Sequence, residues 1–366
     1  MIGLALSGGG SRAMAFHLGC LRALDDLGIL ERIGVLSTIS GGSVIGALYA
    51  YTPHLSFPEF ESLLRVELRR GFHGRIELEL AKPHNLFACI ASSFASRVDE
   101  TGRLIHWNTG LRRYRSRTDM FRKVLERQVF RGLTMSSPRR NNVEMVIGAC
   151  ELRTGTAFRF GNQKSGDWRH GGMVNGDVSV AFAVASSAAY PILLPALDRL
   201  LVFEKNGHEA KQRVLLTDGG IYDNLGIQVI EPGRNPVVSL HTFPCDYLIA
   251  CNAGRGQESG EALPTGFMTR VGRSFEVVHR RVQDSTMHRL HQLKEARLIK
   301  GFALPYLRQQ DERLPWKPGA LMPRAEVVNY PTNFAAMEEA WIDKLSARGE
   351  QLTRLLVSIY LPALLD

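Results

Sequence analysis

Ser37-Thr38-Ile39-Ser40-Gly41-Gly42-Ser43 lies between two apolar runs, Ile33-Gly34-Val35-Leu36 before it and Val44 to Tyr51 after it. An apolar run of strand length, a serine among small residues and then a periodic apolar segment predict a strand that turns sharply into a helix. Such an elbow pushes the serine side chain out at the end of a sheet. Gly41 and Gly42 suit a turn so tight that a Cβ would meet neighbouring backbone. Ser40 is the candidate nucleophile, and the helix behind it would aim unpaired amide N–H groups at developing negative charge. A small-residue turn with no chemistry reads the same way, so the motif gains its weight from two other stretches, Ser7-Gly8-Gly9-Gly10-Ser11-Arg12 and Thr217-Asp218-Gly219-Gly220.

The first of these follows a short apolar strand, Ile2 to Leu6, and leads into a helix over Ala13 to Leu27. Consecutive glycines there let the backbone approach a bound group with its N–H groups turned inward, and the helix adds its positive end. The loop is an anion cradle. Gly8, Gly10 and Ala13 also satisfy a dinucleotide fingerprint, which needs an acidic residue at the end of the second strand; that strand ends in Thr38-Ile39-Ser40 instead. A phosphate-binding P-loop is excluded because no Gly-Lys-Ser/Thr follows. An oxyanion hole is the stronger reading, and a dinucleotide-dependent oxidoreductase the lesser one. In the second stretch, an aspartate leaving a strand into two glycines can sit at a strand tip and face a neighbouring elbow, although an ordinary Asp-Gly turn looks alike.

Composition bounds the class. The 366 residues are 45% hydrophobic and 22% charged, enough apolar material for a sizeable core in one large α/β domain with additions or in two or three domains. The net charge is +9, and Arg103 to Arg140 alone carries eleven basic residues against Asp119 and Glu126, the same +9. A solvated face and a contact with an anionic membrane are the two readings of that segment. Nucleic acid is not expected, because few aromatics are interleaved for base stacking. Five widely spaced cysteines without a C-x-x-C pair read as reduced residues, neither a disulfide frame nor a zinc site. With a start directly into a strand and no signal peptide, they predict a cytoplasmic protein, peripheral to a membrane at most. Val178 to Leu197 is uncharged over a span length but is broken by Pro191 and Pro195, so a buried helix and an extended loop are expected.

Along the chain, Ser56 and Pro58 open a helix to Arg70, and Pro83 to Val98 with the basic segment forms a helical insertion over about 55–140 that could cover a substrate. Val143 to Cys150 and Thr156 to Phe160 return to strand character, and Asn206-Gly207 predicts a hairpin. Gly266 to Arg297 reads as an amphipathic helix with a stripe of Phe267, Val271, Phe275, Val278 and Val282. Residues 1–260 are expected as the catalytic domain, and 261–366 as a mainly helical extension packed on it. Of the histidines, His17 reads as a packing residue, and a serine triad would need His241, His279, His288 or His291.

The glycine loop with Arg12, a serine elbow thirty residues past Gly10, Ala185 to Leu197 (ASSAAYPILLPAL) and DGGIYDNLG from Asp218 together resemble the patatin-like phospholipase family over roughly Met1 to Gly254. The resemblance implies a three-layer α/β/α sandwich with a mostly parallel central sheet and a Ser-Asp dyad without histidine. Ser40 would be acylated, Asp218 would act as base, and the amides of Gly8, Gly9, Gly10 and Ser11 would form the oxyanion hole. Arg12 would shape that loop or meet a headgroup phosphate, with Gly41, Gly42, Gly219 and Gly220 as loop support. The implied activity is metal- and cofactor-independent hydrolysis of acyl lipids, of phospholipase A or lysophospholipase type. A lipid-binding or regulatory module on the same fold is the alternative, and nothing in the sequence fixes an oligomeric state. One position departs from the family: Thr38 stands where the elbow usually has glycine.

Overall fold

The computed structural model describes residues 1–107, 109–174, 177–191, 193–254, 263–316 and 319–365. Ten strands form one sheet: β1 (Ile2–Leu6), β2 (Ile33–Ile39), β3 (Glu144–Glu151), β4 (Thr156–Gly161), β5 (Ser165–Asp167), β6 (Gly171–Met173), β7 (Leu197–Lys205), β8 (His208–Asp218), β9 (Tyr247–Cys251) and β10 (Gly301–Ala303). The helices are α1 (Gly10–Asp26), α2 (Gly41–Ala50), α3 (Phe57–Arg70), α4 (His73–Ala81), α5 (Pro83–Leu104), α6 (Arg117–Val124), α7 (Val180–Ser187), α8 (Gly220–Asp223), α9 (Phe267–Glu295) and α10 (Glu339–Tyr360). The domain boundary expected at 260/261 lies outside the described residues.

The sheet is α/β but not mostly parallel. Strands run parallel in the order β10-β9-β1-β2-β3, and every pairing from β3 through β4, β5, β6 and β7 to β8 is antiparallel. β8 then pairs back on β3, so the antiparallel half closes a circuit on itself. The expectation failed because alternating apolar patterns and short Gly-rich links, such as Asn206-Gly207 with both residues at positive φ, specify hairpins rather than crossovers.

In the parallel half, pleating sends alternate residues to opposite faces. Leu4, Leu6, Leu36, Ile249 and Cys251 join the main core with α1, α2 and α10. Ala5, Val35, Leu248 and Ala250 join a smaller one with Leu225, Ile227 and the end of α9, Leu290 and Leu293. These are the two outer layers. α10 presses against α1 so closely that a Cβ at Gly19 would overlap the Ser346 carbonyl and one at Gly349 the Phe16 carbonyl. α3 begins as expected, with Ser56 and Glu59 forming a capping box and Pro58 in the first turn. The Val178–Leu197 run holds the eight-residue α7, and no helix among the described residues is long and apolar enough to cross a membrane.

Two expectations about surfaces change. The apolar stripe of α9 is not buried in its first half: Phe267, Val271 and Val278 are exposed, and the helix buries Gln283, Leu290 and Leu293 instead. Shared spacing puts residues on one face of a helix without saying what covers that face. The basic segment is not a uniform solvated face either. Arg139 bonds to the Ser137 and Val143 carbonyls, Arg140 to those of Thr52 and Leu55, and Arg103 to Asp99, while Arg131 is exposed.

Candidate active site

Strand pairing brings the serine and the aspartate together. β3 carries β2 along its first half, with Ile39 opposite Gly148, and β8 along its second half, with Asp218 opposite Ala149. β4 occupies the other edge of β3, so β2 and β8 share one edge and their C-terminal ends meet head to head. The residue after Ile39 is Ser40. Its hydroxyl hydrogen-bonds the Asp218 carboxylate.

Ser40 sits on the elbow between β2 and α2 at φ 52°, ψ −119°, a conformation that L residues adopt only under constraint. The constraint is visible. A Cβ at Gly41 would overlap the Gly10 carbonyl and one at Gly42 the Leu6 carbonyl, so the elbow is packed backbone to backbone on the glycine loop. Ser187, at the end of α7, pins it from the other side. Its hydroxyl accepts from the Ser40 N–H at 2.9 Å, donates to the Gly148 carbonyl at 2.6 Å and lies 2.9 Å from the Ser43 hydroxyl. Sequence reasoning placed Ser187 only in a stretch resembling the family; nothing local marks it as the elbow's anchor. Thr38 is fully buried, and its methyl is accommodated by Gly46 one helix away, where an added Cβ would come within 2.5 Å of Thr38 Cγ2.

Asp218 ends β8, with its N–H bonded to the Ala189 carbonyl and the next N–H, of Gly219, bonded to the Ser187 carbonyl. The Gly220 N–H donates to Asp218 Oδ1 at 2.7 Å. Burial pushes the Asp218 carboxyl up to about 6, against the pull of hydrogen bonds from Ser40 and Gly220. A carboxyl poised there is a far better proton acceptor than an exposed one.

The glycine loop faces the same point, but its amides divide. The Gly8 N–H donates to the Asn224 carbonyl at 3.2 Å and the Ser11 N–H to the Asn333 carbonyl at 2.7 Å. No acceptor among the described residues takes the N–H of Gly9 or Gly10. Gly10 has φ 62°, and a side chain there would overlap the Asn333 carbonyl. Arg12 is buried beneath the loop and donates through Nε and Nη2 to the Ala253 carbonyl and through Nη1 to that of Tyr330. Arg12 also lines the pocket beside Ser40.

The pocket over these groups is about 140 Å³ and is closed on one side by Phe275, His279 and Gln283 of α9 and by Tyr190 and Leu193. Of the four downstream histidines, only His279 lines it. Its ring hydrogen-bonds the Gly220 backbone and stacks on Phe275 with centroids 6.2 Å apart, and burial lowers its pKa. The turn after Asp218 is thereby tied to α9. His17 is a core residue, bonded to the Cys251 carbonyl, with burial lowering its pKa to about 3.

No curated protein matches the chain. Among solved structures, human GIVD cytosolic phospholipase A2 aligns with a TM-score of 0.56 at 14% identity, over 100% of this chain and 60% of that one. The same human protein in complex with methyl gamma-linolenyl fluorophosphonate and terbium chloride aligns at 0.50 and 13%, over 100% and 58%. VipD from Legionella pneumophila gives 0.39 and 14%, over 98% and 66%. At such identities the likeness is one of fold, and this chain spans about 60% of the length of the human protein. The family model for patatin-like phospholipase matches residues 4–230 and so takes in the glycine loop, the elbow and the aspartate turn alike. On that match, covering well over half of its length, the chain belongs to the patatin-like phospholipase family.

Proposed function

We propose that this chain is a serine lipid acyl hydrolase of the phospholipase A or lysophospholipase kind, working through an acyl-enzyme on Ser40. The observation that carries the reading is a buried carboxyl held near pH 6 opposite a serine on a strained elbow. Ser40 Oγ attacks the acyl carbonyl as its proton passes to Asp218, and the oxyanion that forms is held by the N–H groups of Gly9 and Gly10. Collapse expels the lipid alkoxide, which takes the proton from Asp218. A water, deprotonated in turn by Asp218, attacks the acyl-enzyme, and the tetrahedral intermediate expels Ser40, which recovers its proton, with release of the fatty acid. Aligned oxyanion donors supply roughly 2.7–4 kcal/mol each, which offsets part of the weakness of a carboxylate base.

Residues 1–260 would form the catalytic unit, with 55–140 as its helical insertion and 261–366 packed on it. The substrate is an acyl lipid, and the exposed part of the Arg103–Arg140 segment supports contact with an anionic membrane. The reading is tested with a fluorescent fluorophosphonate, comparing wild type with Ser40→Ala. Labelling that vanishes in the variant is expected. Folded wild type that takes no label, or a variant that still does, would overturn the assignment in favour of a binding module or of another nucleophile. Charge reversal at Arg112, Arg122 and Arg131 is expected to weaken binding to anionic vesicles in a salt-dependent way and to leave hydrolysis of a short soluble ester unchanged.

A further inference from the structure

A second cavity lies outside the Ser40 pocket. It is a groove of about 480 Å³ between α4 and α5 on one side and the chain at 113–117 on the other, closed at its end by Pro195. Its volume falls in the range of small-molecule sites. The floor and wall are Leu80, Leu86, Ile90 and Phe94, the last three one helical turn apart along α5, and the rim carries Arg97, Arg113 and Arg117. Leu86, Ile90 and Phe94 are 44%, 61% and 70% exposed, so this apolar stripe lacks a partner among the described residues.

The charges around the groove are unbalanced in a specific way. Four acids near the groove pair with cations outside it: Asp99 with Arg103 and Arg213, Asp198 with Arg213, Asp119 with Arg199, and Glu79 with Lys82 and Arg127. Among the described residues no carboxylate lies within ion-pair distance of Arg97, Arg113 or Arg117. Among the described residues the Arg113 side chain reaches only the Ser93 hydroxyl, at 3.4 Å, while its main-chain N–H donates to Asp198 Oδ2 at 3.0 Å. An apolar trough with an uncompensated cationic rim is complementary to a molecule with one long apolar tail and one anionic head.

We propose that this groove binds a long-chain fatty-acid anion, its chain along Leu80, Leu86, Ile90 and Phe94 and its carboxylate among the three arginines. A single chain fits better than a bilayer face, because the lining residues come from separate segments that enclose a trough with the cations at its edge. The groove lies near the Ser40 pocket along the chain: Leu193 lines that pocket and Pro195 lines the groove. The proposal goes beyond the hydrolase reading and does not rest on it.

The test uses a fluorescent long-chain fatty acid below its micelle concentration, titrated into the full-length Ser40→Ala protein and competed with unlabelled fatty acid. Saturable binding is expected, weakened about tenfold or more by Ile90→Glu and by the pair Arg113→Glu/Arg117→Glu. Phe94→Trp keeps the groove apolar and adds a local donor; energy transfer from it to the bound probe is expected beyond that of the native tryptophans, and it decides the matter should a charged variant fail to fold. Folded groove variants that bind the monomeric acid as the parent does would overturn the proposal. So would loss of binding to anionic vesicles alone, which would make the face a bilayer contact, or absence of the added transfer, which would put the probe in the Ser40 pocket.

Discussion

Asp218→Asn is expected to make the protein more stable and nearly inactive at neutral pH, with both effects developing over the same pH window. The folded chain holds the Asp218 proton up to about pH 6, whereas the carboxyl ordinarily releases it at 3.8. Below about pH 4 both folded and unfolded chains are protonated, and burial costs nothing on this account. As pH rises from about 4 to about 6 the unfolded chain gives up the proton first, so stability falls; above 6 the folded state carries a buried carboxylate and the whole penalty is present. The gap corresponds to at most about 3 kcal/mol. For a chain of 366 residues that is about 4 °C in the melting temperature. Asparagine removes the charge and so the penalty. Thermal unfolding of wild type and variant, compared at a series of pH values, should give coincident melting temperatures near about pH 4 and a gap in favour of the variant that opens by about pH 6 and then stays constant. Over the same interval wild-type kcat/KM should rise and level off, and the variant should lose about 10²–10⁴ in kcat. A variant that is equally or less stable at about pH 7.5, or a wild-type profile that is flat through about pH 6, would refute the argument that burial tunes the base.

Ser187→Ala leaves the Ser40 N–H without an acceptor and the Gly148 carbonyl without a donor, and is expected to cost about 1–3 kcal/mol in denaturant unfolding and to lower kcat more than it changes KM. Gly46→Ala should destabilise by about 1–3 kcal/mol through the Thr38 methyl, and much less in a Thr38→Ala background; an additive cycle would show that Gly46 makes no room for Thr38. His279→Ala should slow both turnover and fluorophosphonate labelling, while His279→Gln, which can still donate to Gly220, recovers part of the rate. Equal loss in both variants would mean that ring packing on Phe275, and not the hydrogen bond, is what matters.

Much of the site was legible because its parts are local. Ile33 to Tyr51 encodes a strand, a tight turn and a helix within nineteen consecutive residues, although the backbone that a side chain at Gly41 or Gly42 would meet belongs to the glycine loop and β1. The glycine loop and the Asp-Gly-Gly turn carry the same kind of short-range signal, as do the Ser56 cap and the Asn206-Gly207 hairpin. Long-range hydrogen bonding was not legible. Which amides of the loop stay available depends on Asn224 and Asn333, and which histidine reaches the pocket depends on how α9 lies, neither of which has a trace in the spacing of the residues concerned.

The sequence by itself therefore determined the pieces, a serine at a strand-to-helix turn, a glycine loop after a strand and an aspartate at a strand end, because each is a short-range pattern of apolar run and small residues. Tertiary structure alone decided that they form one site. β8 returns antiparallel onto the second half of β3 while β2 lies parallel on the first half, so Asp218 and Ser40 meet across the Gly148–Ala149 step. A strand's pleat records which face is buried but not which partner it pairs with or in which direction, and that choice belongs to the packing of the whole chain.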